Sequence, residues 1–261
     1  MDKYIISSDS SNIHYKETAQ NNDHITLVFV HGWLGNSNWW NEQEKYFKQT
    51  YNILQIDLGG HGKSDKSRKN WTSGQYTDDI KAVVNQLDSP EIILVGHSMS
   101  GAYVVEASID LPQVKAIILV DTLKDLDQEF TPEQAEQFMF SSYRQDFKSA
   151  VENLLPQYLF VEKTPEHIKK QLQSEFLQNE SDLAINALRP LYEMDIRKLA
   201  KQVNIPVRAI NSDASPTNIK NNRKYFKNYD YKIIAETGHY PMLEKPAEFN
   251  QLLNEVINEL K

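Results

Sequence analysis

The chain has 261 residues, of which 40% are hydrophobic and 25% charged, and its formal net charge at pH 7 is −8. This length is enough to bury one sizeable core, whereas the negative charge disfavours binding to nucleic acid or to an anionic membrane surface. The chain contains no cysteine, which excludes disulfides, thiolate metal sites and a cysteine nucleophile.

Targeting signals are not evident either. No apolar run reaches the roughly 18 residues that a membrane-spanning helix needs, and residues 1–8 lack a basic region followed by an apolar one. We therefore expect a cytoplasmic protein that acts on a small molecule and binds neither nucleic acid nor membrane. The sequence leaves its oligomeric state open.

Apolar runs recur along the chain in the manner of strands that alternate with helices. The pattern predicts an N-terminal antiparallel hairpin over residues 3–8 and 13–17. Six further strands are predicted over residues 27–30, 53–56, 92–95, 116–120, 207–210 and 232–235. The expected fold class is therefore α/β, with an eight-stranded, mostly parallel sheet flanked by helices.

The strand at 92–95 leads directly into Gly96-His97-Ser98-Met99-Ser100-Gly101, a Gly-x-Ser-x-Gly motif followed by a helix-forming run. A strand before the motif and a helix after it are the context of a nucleophile elbow, a sharp turn that holds a serine above the sheet. The sequence therefore predicts that Ser98 is a nucleophile.

The connection between the fourth and fifth of these six strands is far too long for an ordinary loop. It is rich in helix formers and begins with the capping pattern Thr131-Pro132-Glu133-Gln134. We expect a helical insertion here, with apolar positions such as Phe138, Phe140 and Tyr158 packed on each other or on the cleft.

A serine hydroxyl needs a general base, and the base needs an orienting carboxylate. After the last predicted strand the chain reads Glu236-Thr237-Gly238-His239, which places a histidine in a loop at a strand end. His239 is therefore the predicted base.

These motifs, in this order, resemble the α/β-hydrolase fold superfamily, in its serine esterase and lipase-like branch with a helical cap. The resemblance implies a core over residues 1–122 and 205–261 and a cap over residues 123–204, inserted between strands 6 and 7. It also implies an oxyanion hole formed by the main-chain N–H groups of Trp33 and Met99. Trp33 follows His31-Gly32 at the end of the strand over residues 27–30.

Two carboxylates compete for the role of triad acid. Asp213 follows the strand after the cap, where this fold usually carries the acid, although the turn must be about two residues shorter than usual. Asp121 ends the strand before the cap, where some relatives place theirs, and it fits without a gap. Topology favours Asp213 and register favours Asp121. We take Asp213 as the expected acid and Asp121 as the alternative.

His97, Trp39 and Tyr240 flank the predicted turns and are candidates for the substrate pocket, although aromatic residues at such positions also pack helices against sheets. No metal site and no cofactor are expected.

A serine at the elbow indicates acyl transfer, so the leading hypothesis is hydrolysis of a small carboxylic ester, thioester or lactone through an acyl-enzyme. The alternatives are a C–C bond hydrolase or cofactor-free peroxidase-like enzyme of the same fold, or a hydrolase-like receptor for a small ligand.

Overall fold

A computed structural model describes residues 1–18, 25–128 and 130–261. Within these residues a single sheet contains eight strands in the order β1-β2-β4-β3-β5-β6-β7-β8. The strands are β1 Asp2–Ile6, β2 Asn12–Thr18, β3 Thr26–Val30, β4 Asn52–Ile56, β5 Ile92–His97, β6 Val114–Val120, β7 Val207–Ser212 and β8 Tyr229–Ile234. The prediction of an eight-stranded sheet is confirmed.

The sheet is parallel except at its N-terminal edge. There β1 pairs antiparallel with β2, and β2 pairs antiparallel with β4. The remaining pairs, from β4 through β3, β5, β6 and β7 to β8, are all parallel. Every residue of the central strands β3, β4 and β5 is buried, as expected for a parallel sheet covered by helices on both faces. The carboxyl ends of these strands therefore meet at one edge of the sheet.

Helices connect the strands. Those of the sheet-bearing part are α1 Asn41–Phe47, α2 Ser73–Val84 and α3 Met99–Ser108, and, after the insertion, α10 Ile219–Asn222, α11 Pro241–Glu244 and α12 Pro246–Glu259. A 3₁₀ turn, Ser37–Trp40, precedes α1. The mostly parallel sheet with flanking helices is the predicted fold class.

The long connection between β6 and β7 is helical. It contains α4 Pro132–Ala135, α5 Ser141–Ser149, α6 Pro156–Leu159, α7 Glu166–Phe176, α8 Ser181–Glu193 and α9 Ile196–Ala200. Two π-helical segments, Glu136–Phe140 and Ala150–Leu154, link the first three of these helices. We call residues 123–204 the insertion. Whether it is a separate cap domain with these boundaries stays a prediction.

The first helix of the insertion begins where its sequence indicates. The Thr131 hydroxyl accepts a hydrogen bond from the Gln134 N–H, and the Gln134 side chain accepts one from the Thr131 N–H. This reciprocal capping box satisfies two N–H groups that the first turn leaves without helical acceptors.

The expected packing of the insertion holds only in part. Phe140 is buried, but Phe138 is 57% exposed and Tyr158 is 75% exposed. Among the described residues, no helix combines the length and the apolar character that crossing a bilayer requires.

Candidate active site

Ser98 occupies the turn between β5 and α3, above the carboxyl edge of the sheet. Its backbone has φ 53° and ψ −122°, a conformation that residues with a side chain rarely adopt. Such strain persists only where the surrounding structure fixes it. Here the Ser98 N–H donates to the Val120 carbonyl of the neighbouring strand at 3.0 Å, and α3 begins at the next residue.

The two glycines of the motif are required because neighbouring atoms leave no room for a Cβ atom at either position. A Cβ atom on Gly96 would lie 2.7 Å from the Ser100 carbonyl oxygen, and one on Gly101 would lie 2.2 Å from Cγ2 of Thr122. No side chain fits either distance. The Gly-x-Ser-x-Gly spacing therefore lets α3 pack directly on the sheet while it presents Ser98 at the edge.

His239 lies in the loop after β8 and reaches the serine across the sheet edge. Its Nε2 atom is 2.7 Å from Ser98 Oγ, at hydrogen-bonding distance. The hydroxyl is the donor when the ring is neutral with its proton on Nδ1. That tautomer is favoured because Nδ1 contacts the carboxylate of Asp121, which can only accept. Ser98 is partly accessible, and the His239 side chain is 22% exposed, so the pair is open to a small molecule.

The carboxylate that orients the imidazole is Asp121. His239 Nδ1 donates to Asp121 Oδ2 at 2.8 Å, and the other carboxylate oxygen, Oδ1, accepts the Ser212 N–H at 2.7 Å. Asp121 directly follows β6 and has φ 47°, which turns its side chain back over the sheet edge. It is 95% buried.

The expectation for Asp213 is corrected by this geometry. Asp213 is exposed, and its Oδ1 accepts the Glu236 N–H at 2.9 Å instead of contacting the imidazole. The reason is the length of β7, which continues to Ser212, so that the next residue, Asp213, is exposed and contacts Glu236 at the start of the loop that carries His239. The alignment without a shortened turn, which favours Asp121, is the one that agrees with the structure.

The environment of Asp121 keeps its carboxylate charged. Burial opposes ionisation, but the hydrogen bond and charge of His239 and the charge of Lys124 outweigh it, so that the pKa of Asp121 lies well below its usual value. Lys124 Nζ is 2.8 Å from Asp121 Oδ1. Sequence reasoning missed Lys124, because a lysine four residues after a strand end carries no signal of its own.

The loop after β3 lies against the elbow. A Cβ atom on Gly32 would be 2.6 Å from His97 Nδ1 and 3.1 Å from Ser98 Cβ, so only glycine allows this approach. The N–H of the next residue, Trp33, has no backbone acceptor among the described residues. Met99 is the first residue of α3, where an N–H has no helical acceptor. Both candidate oxyanion donors thus belong to segments that adjoin Ser98.

Comparison with known proteins identifies the fold family. Residues 25–160, slightly more than half of the chain, match the model of the alpha/beta hydrolase fold family.

The chain belongs to the α/β-hydrolase fold family.

Two curated relatives match this α/β hydrolase along most of its length. It is 27% identical over 251 residues to the pimeloyl-[acyl-carrier protein] methyl ester esterase of Wigglesworthia glossinidia brevipalpis, covering 90% of this chain and 94% of the relative. It is 23% identical over 243 residues to 3-oxoadipate enol-lactonase 2 of Acinetobacter baylyi, covering 90% of this chain and 89% of the relative. Relatives of this family therefore include esterases and a lactonase.

Other matches are shorter or concern the fold alone. The chain is 32% identical to an uncharacterized protein of Mycobacterium tuberculosis over 95 residues, which are 36% of this chain but only 28% of that protein. A solved esterase from Thermogutta terrifontis superposes with a TM-score of 0.84 at 17% identity, covering 100% of this chain and 99% of the other. This likeness shows the same fold over the whole chain.

An aromatic cluster behind His239 contains His97, Trp39 and Tyr240. The Trp39 and His97 rings lie 5.4 and 5.3 Å from the Tyr240 ring, and all three side chains are almost completely buried. This position supports the His239 loop and leaves little surface for a substrate. Their assignment to the substrate pocket stays a prediction.

His97 also fixes the backbone at the candidate base. Its Nε2 donates to the His239 carbonyl at 2.7 Å, since a carbonyl can only accept. Burial, reinforced by the nearby His239, lowers the pKa of His97 to about 3. His97 is therefore neutral, with its other nitrogen unprotonated.

Glu244, in α11, holds both sides of the His239 loop and escaped sequence analysis. Its carboxylate accepts the Gly238 N–H at 2.9 Å and the Tyr240 N–H at 3.1 Å, and it also accepts the Thr164 hydroxyl of the insertion at 2.7 Å. A glutamate five residues after the loop histidine, at the end of a one-turn helix that starts with proline, is the available signal.

The insertion contacts the site at two further points. The Trp33 indole donates to the Ala184 carbonyl of α8 at 2.8 Å, and its ring stacks on Tyr143 with centroids 5.6 Å apart. The His239 N–H donates to the Leu159 carbonyl at 2.8 Å. Trp33, which carries one candidate oxyanion donor, and His239, the candidate base, are thus both hydrogen-bonded to the insertion.

Both ring nitrogens of His31 form hydrogen bonds with backbone groups. Its Nδ1 donates to the Gly32 carbonyl at 2.7 Å, and its Nε2 accepts the Leu58 N–H at 3.1 Å. Among the described residues, no group of three or more His, Asp or Glu side chains is arranged to hold a metal ion.

Proposed function

We propose that this α/β hydrolase is a serine hydrolase that cleaves small carboxylic esters through an acyl-enzyme on Ser98. The observation that carries the proposal is the unbroken chain of hydrogen bonds from Ser98 through His239 to Asp121, with distances of 2.7 and 2.8 Å. Geometry of this kind activates a hydroxyl that is otherwise a poor nucleophile. Thioesters and lactones present the same electrophilic carbonyl and belong to the proposed substrate class.

In the first half of the proposed cycle, Ser98 Oγ attacks the carbonyl carbon while His239 Nε2 takes the hydroxyl proton. The substrate carbonyl oxygen becomes an oxyanion, for which we assign the main-chain N–H groups of Trp33 and Met99 as donors. Each such donor contributes about 3 kcal/mol to transition-state stabilisation. The intermediate then collapses, and His239 gives its proton to the departing alcohol.

In the second half, water enters and His239 removes one of its protons as the oxygen attacks the acyl carbon. The second oxyanion forms in the same hole, and its collapse releases the acid while the proton returns to Ser98. Asp121 holds the imidazole in the Nδ1–H tautomer and stabilises the imidazolium that forms twice in each cycle.

The relatives support this substrate class through their names, which include a methyl ester esterase and an enol-lactonase. Both act on a carbonyl that carries an oxygen leaving group. We extend to this chain only that common chemistry. The insertion connects β6 to β7 and contacts Trp33 and His239. We propose that it acts as the cap that selects the acyl and alcohol groups of the substrate.

The test is turnover of a p-nitrophenyl acyl series from acetate to octanoate, with fluorophosphonate labelling of Ser98 followed by mass spectrometry. The proposal expects release of p-nitrophenolate and stoichiometric labelling at Ser98. Labelling without turnover of any ester, thioester or lactone would favour a ligand receptor that has kept an activated serine. Absence of both would refute the proposal.

A further inference from the structure

Among the described residues, two buried aromatic side chains of the sheet-bearing part donate hydrogen bonds to main-chain carbonyls of α8. The Trp33 indole donates to the Ala184 carbonyl at 2.8 Å, and the Tyr76 hydroxyl donates to the Ala187 carbonyl at 3.2 Å. Ala184 and Ala187 are three residues apart and therefore lie on one face of the helix, where both are completely buried. Because alanine is small, the two donors can reach the helix backbone on this face.

Pro190 lies inside α8 and weakens this part of the helix. Proline has no N–H, so the Asn186 carbonyl, four residues earlier, receives no hydrogen bond from position 190, and the proline ring crowds the same carbonyl. The Tyr76 hydroxyl donates to the next carbonyl along the chain, that of Ala187. The core thus supplies a hydrogen bond close to the point where α8 has lost one of its own.

Tyr76 lies on α2, which is held firmly in the core. The Asp79 carboxylate, one turn after Tyr76, accepts hydrogen bonds from the Gly59 N–H at 3.0 Å and from the buried Arg68 guanidinium. The Tyr76 ring is completely buried and stacks on Tyr103, with ring centroids 4.8 Å apart. Burial raises the pKa of Tyr76 well above its usual value, so the hydroxyl keeps its proton and remains a donor.

The Trp33 ring, on the same face of α8, is enclosed by the insertion. It stacks on Tyr143 of α5 with ring centroids 5.6 Å apart, and the ring of Phe176 in α7 lies 5.7 Å away. The main chain at Trp33 belongs to a turn in which the Gly35 N–H donates to the Gly32 carbonyl at 3.1 Å. The side chain of Trp33 is therefore fixed by the insertion, while its backbone belongs to the loop that adjoins Ser98.

The turn that contains Trp33 is strained. Leu34 has φ 52°, a left-handed conformation that residues with a Cβ atom rarely adopt. Such strain persists only where surrounding contacts fix the backbone. The anchored indole is a contact of this kind, because it restrains rotation of the peptide groups on either side of Trp33. The direction of the Trp33 N–H, a candidate oxyanion donor, therefore depends on the position of α8.

We propose that Tyr76 is a positioning residue for the candidate oxyanion hole: its hydroxyl holds α8 in the place where this helix fixes the Trp33 indole and so directs the Trp33 N–H. Tyr76 does not touch the substrate and acts through two hydrogen bonds to one face of α8. The inference rests on the proposed function for its effect on turnover, whereas the connection from Tyr76 to Trp33 is a property of the fold.

The test compares Tyr76→Phe with the matched control Tyr103→Phe. Both rings are completely buried and stack on each other, but the Tyr103 hydroxyl has no hydrogen-bond partner among the described residues. In hydrolysis of p-nitrophenyl butyrate, Tyr76→Phe is expected to lower kcat by about three- to tenfold, which corresponds to the net contribution of one neutral hydrogen bond. Because an oxyanion donor acts in the transition state, KM should change by less than about twofold. Tyr103→Phe is expected to leave both constants unchanged.

A double-mutant cycle shows whether Tyr76 acts through the indole. Trp33→Phe removes the indole N–H but keeps an aromatic ring and the main-chain N–H. If Tyr76 acts through this contact, adding Tyr76→Phe to Trp33→Phe lowers kcat further by less than about twofold. If the two effects multiply in full, Tyr76 reaches the site by another route and the inference is overturned.

A second measurement does not depend on catalysis. In ¹H–¹⁵N NMR spectra the Trp33 indole N–H is assigned by its absence in Trp33→Phe, and its hydrogen-exchange rate reports the contact with α8. Tyr76→Phe is expected to raise this rate by about three- to tenfold, whereas Tyr103→Phe leaves it unchanged. The Trp39 indole, which donates to Glu175 of α7 at 2.7 Å, is the reference in the same spectra, and its exchange rate should stay constant.

The inference is overturned if Tyr76→Phe lowers the melting temperature but changes neither kcat nor the exchange rate of the Trp33 indole, since Tyr76 would then only stabilise the core. It is also overturned if the Trp39 indole exchanges faster by the same factor, because the hydroxyl would then hold the whole insertion rather than α8. Failure of the proposed function is a different result. The unaltered protein would then hydrolyse no ester, while the exchange rates would still report whether Tyr76 fixes Trp33.

Discussion

The Nε2 atom of His239 lies 2.7 Å from the Oγ atom of Ser98, although 141 positions of chain separate the two residues. Two loops at the carboxyl edge of one parallel sheet bring them together. Variants of Ser98 and of the residues around this contact therefore have predictable effects.

Ser98→Ala is expected to abolish ester turnover and fluorophosphonate labelling while the protein stays folded. Removal of a triad nucleophile reduces kcat by a factor of about 10⁴–10⁶. The matched control is Ser108→Ala, at the other end of α3, where the hydroxyl donates only to the Val105 carbonyl. Circular dichroism and p-nitrophenyl butyrate hydrolysis check the two variants, and full activity of the alanine variant at position 98 would remove this residue from the mechanism.

Asp121→Asn and Asp213→Asn separate the two carboxylates. We expect Asp121→Asn to reduce kcat by about 10⁴, because an amide at this position favours the wrong imidazole tautomer. Asp213→Asn alters an exposed loop contact and should change kcat by no more than about twofold. Steady-state kinetics on one ester suffice, and equal losses in both variants would contradict the assignment.

Acid is expected to destabilise the fold through its buried histidines. Burial lowers the pKa of His61 and of His97 to about 3, far below the value of about 6.5 for an unfolded chain. Below pH 6.5 the unfolded state therefore binds protons that the folded state does not, so the free energy of unfolding falls as pH decreases toward 3. Each of these two histidines contributes a slope of roughly 1.4 kcal/mol per pH unit.

Urea denaturation at pH 5, 6 and 7 measures this slope. His61→Asn is the informative variant, because Asn can still donate to the Gly59 carbonyl that His61 Nδ1 contacts at 3.0 Å, yet it does not titrate. Between pH 5 and 7 its slope should be smaller than that of the parent by about 1 kcal/mol per pH unit, because the unfolded imidazole is only partly protonated near pH 6.5. An unchanged slope would mean that His61 takes up its proton without unfolding.

Glu244→Gln tests the hydrogen bonds that hold the His239 loop in place. The carboxylate accepts from Gly238, Tyr240 and Thr164, and an amide NH₂ facing these donors must lose at least one of the contacts. Hydrogen bonds to a charged group contribute about 1.5–3 kcal/mol each, so we expect a lower melting temperature and a reduced kcat with a smaller change in KM. Thr164→Val, which removes only the contact to the insertion, should have the milder effect. Equal kcat values for parent and Glu244→Gln would contradict a role in placing the histidine.

Gly101→Ala is expected to destabilise the elbow, because its Cβ would lie 2.2 Å from Cγ2 of Thr122. Overpacking of this kind destabilises a fold by about 1–3 kcal/mol. Combining it with Thr122→Ser, which removes the clashing methyl group, should recover part of the loss. A double-mutant cycle of unfolding free energies checks the pair, and strictly additive effects would show that the clash is relieved elsewhere.

Sequence analysis located Ser98 and His239 because each has a local signal, namely glycines at fixed spacing after a strand and a Gly-His pair after the last strand. The expectation of Asp213 as the acid, with Asp121 as the alternative, was wrong, because both residues follow adjacent strands whose carboxyl ends meet at the same edge. The outcome depends on the length of β7, which extends through Ser212. A one- or two-residue difference in a strand end leaves no trace in composition or periodicity.

Lys124 and Glu244 were out of reach for a different reason. Lys124 contacts the nearby Asp121 but also Ser212 and Ser215, and Glu244 contacts the nearby Gly238 and Tyr240 but also Thr164 of the insertion. The distant contacts, which join separate loops, have no signal in the sequence. Similarly, Phe138 and Tyr158 have the apolar character of core residues but lie exposed on the insertion. Apolar residues are commonly exposed singly, so their type alone does not predict their burial.

The hydrogen bonds from the Trp33 indole to Ala184 and from the His239 N–H to Leu159 have a consequence for how a substrate enters. Both acceptors are carbonyls of the insertion, and both donors belong to residues that lie beside Ser98. A large substrate that displaces the insertion must lengthen or break these two hydrogen bonds. Under the proposed function, the position of the insertion and the alignment of Trp33 and His239 are therefore coupled, so that a change of substrate size has to alter both.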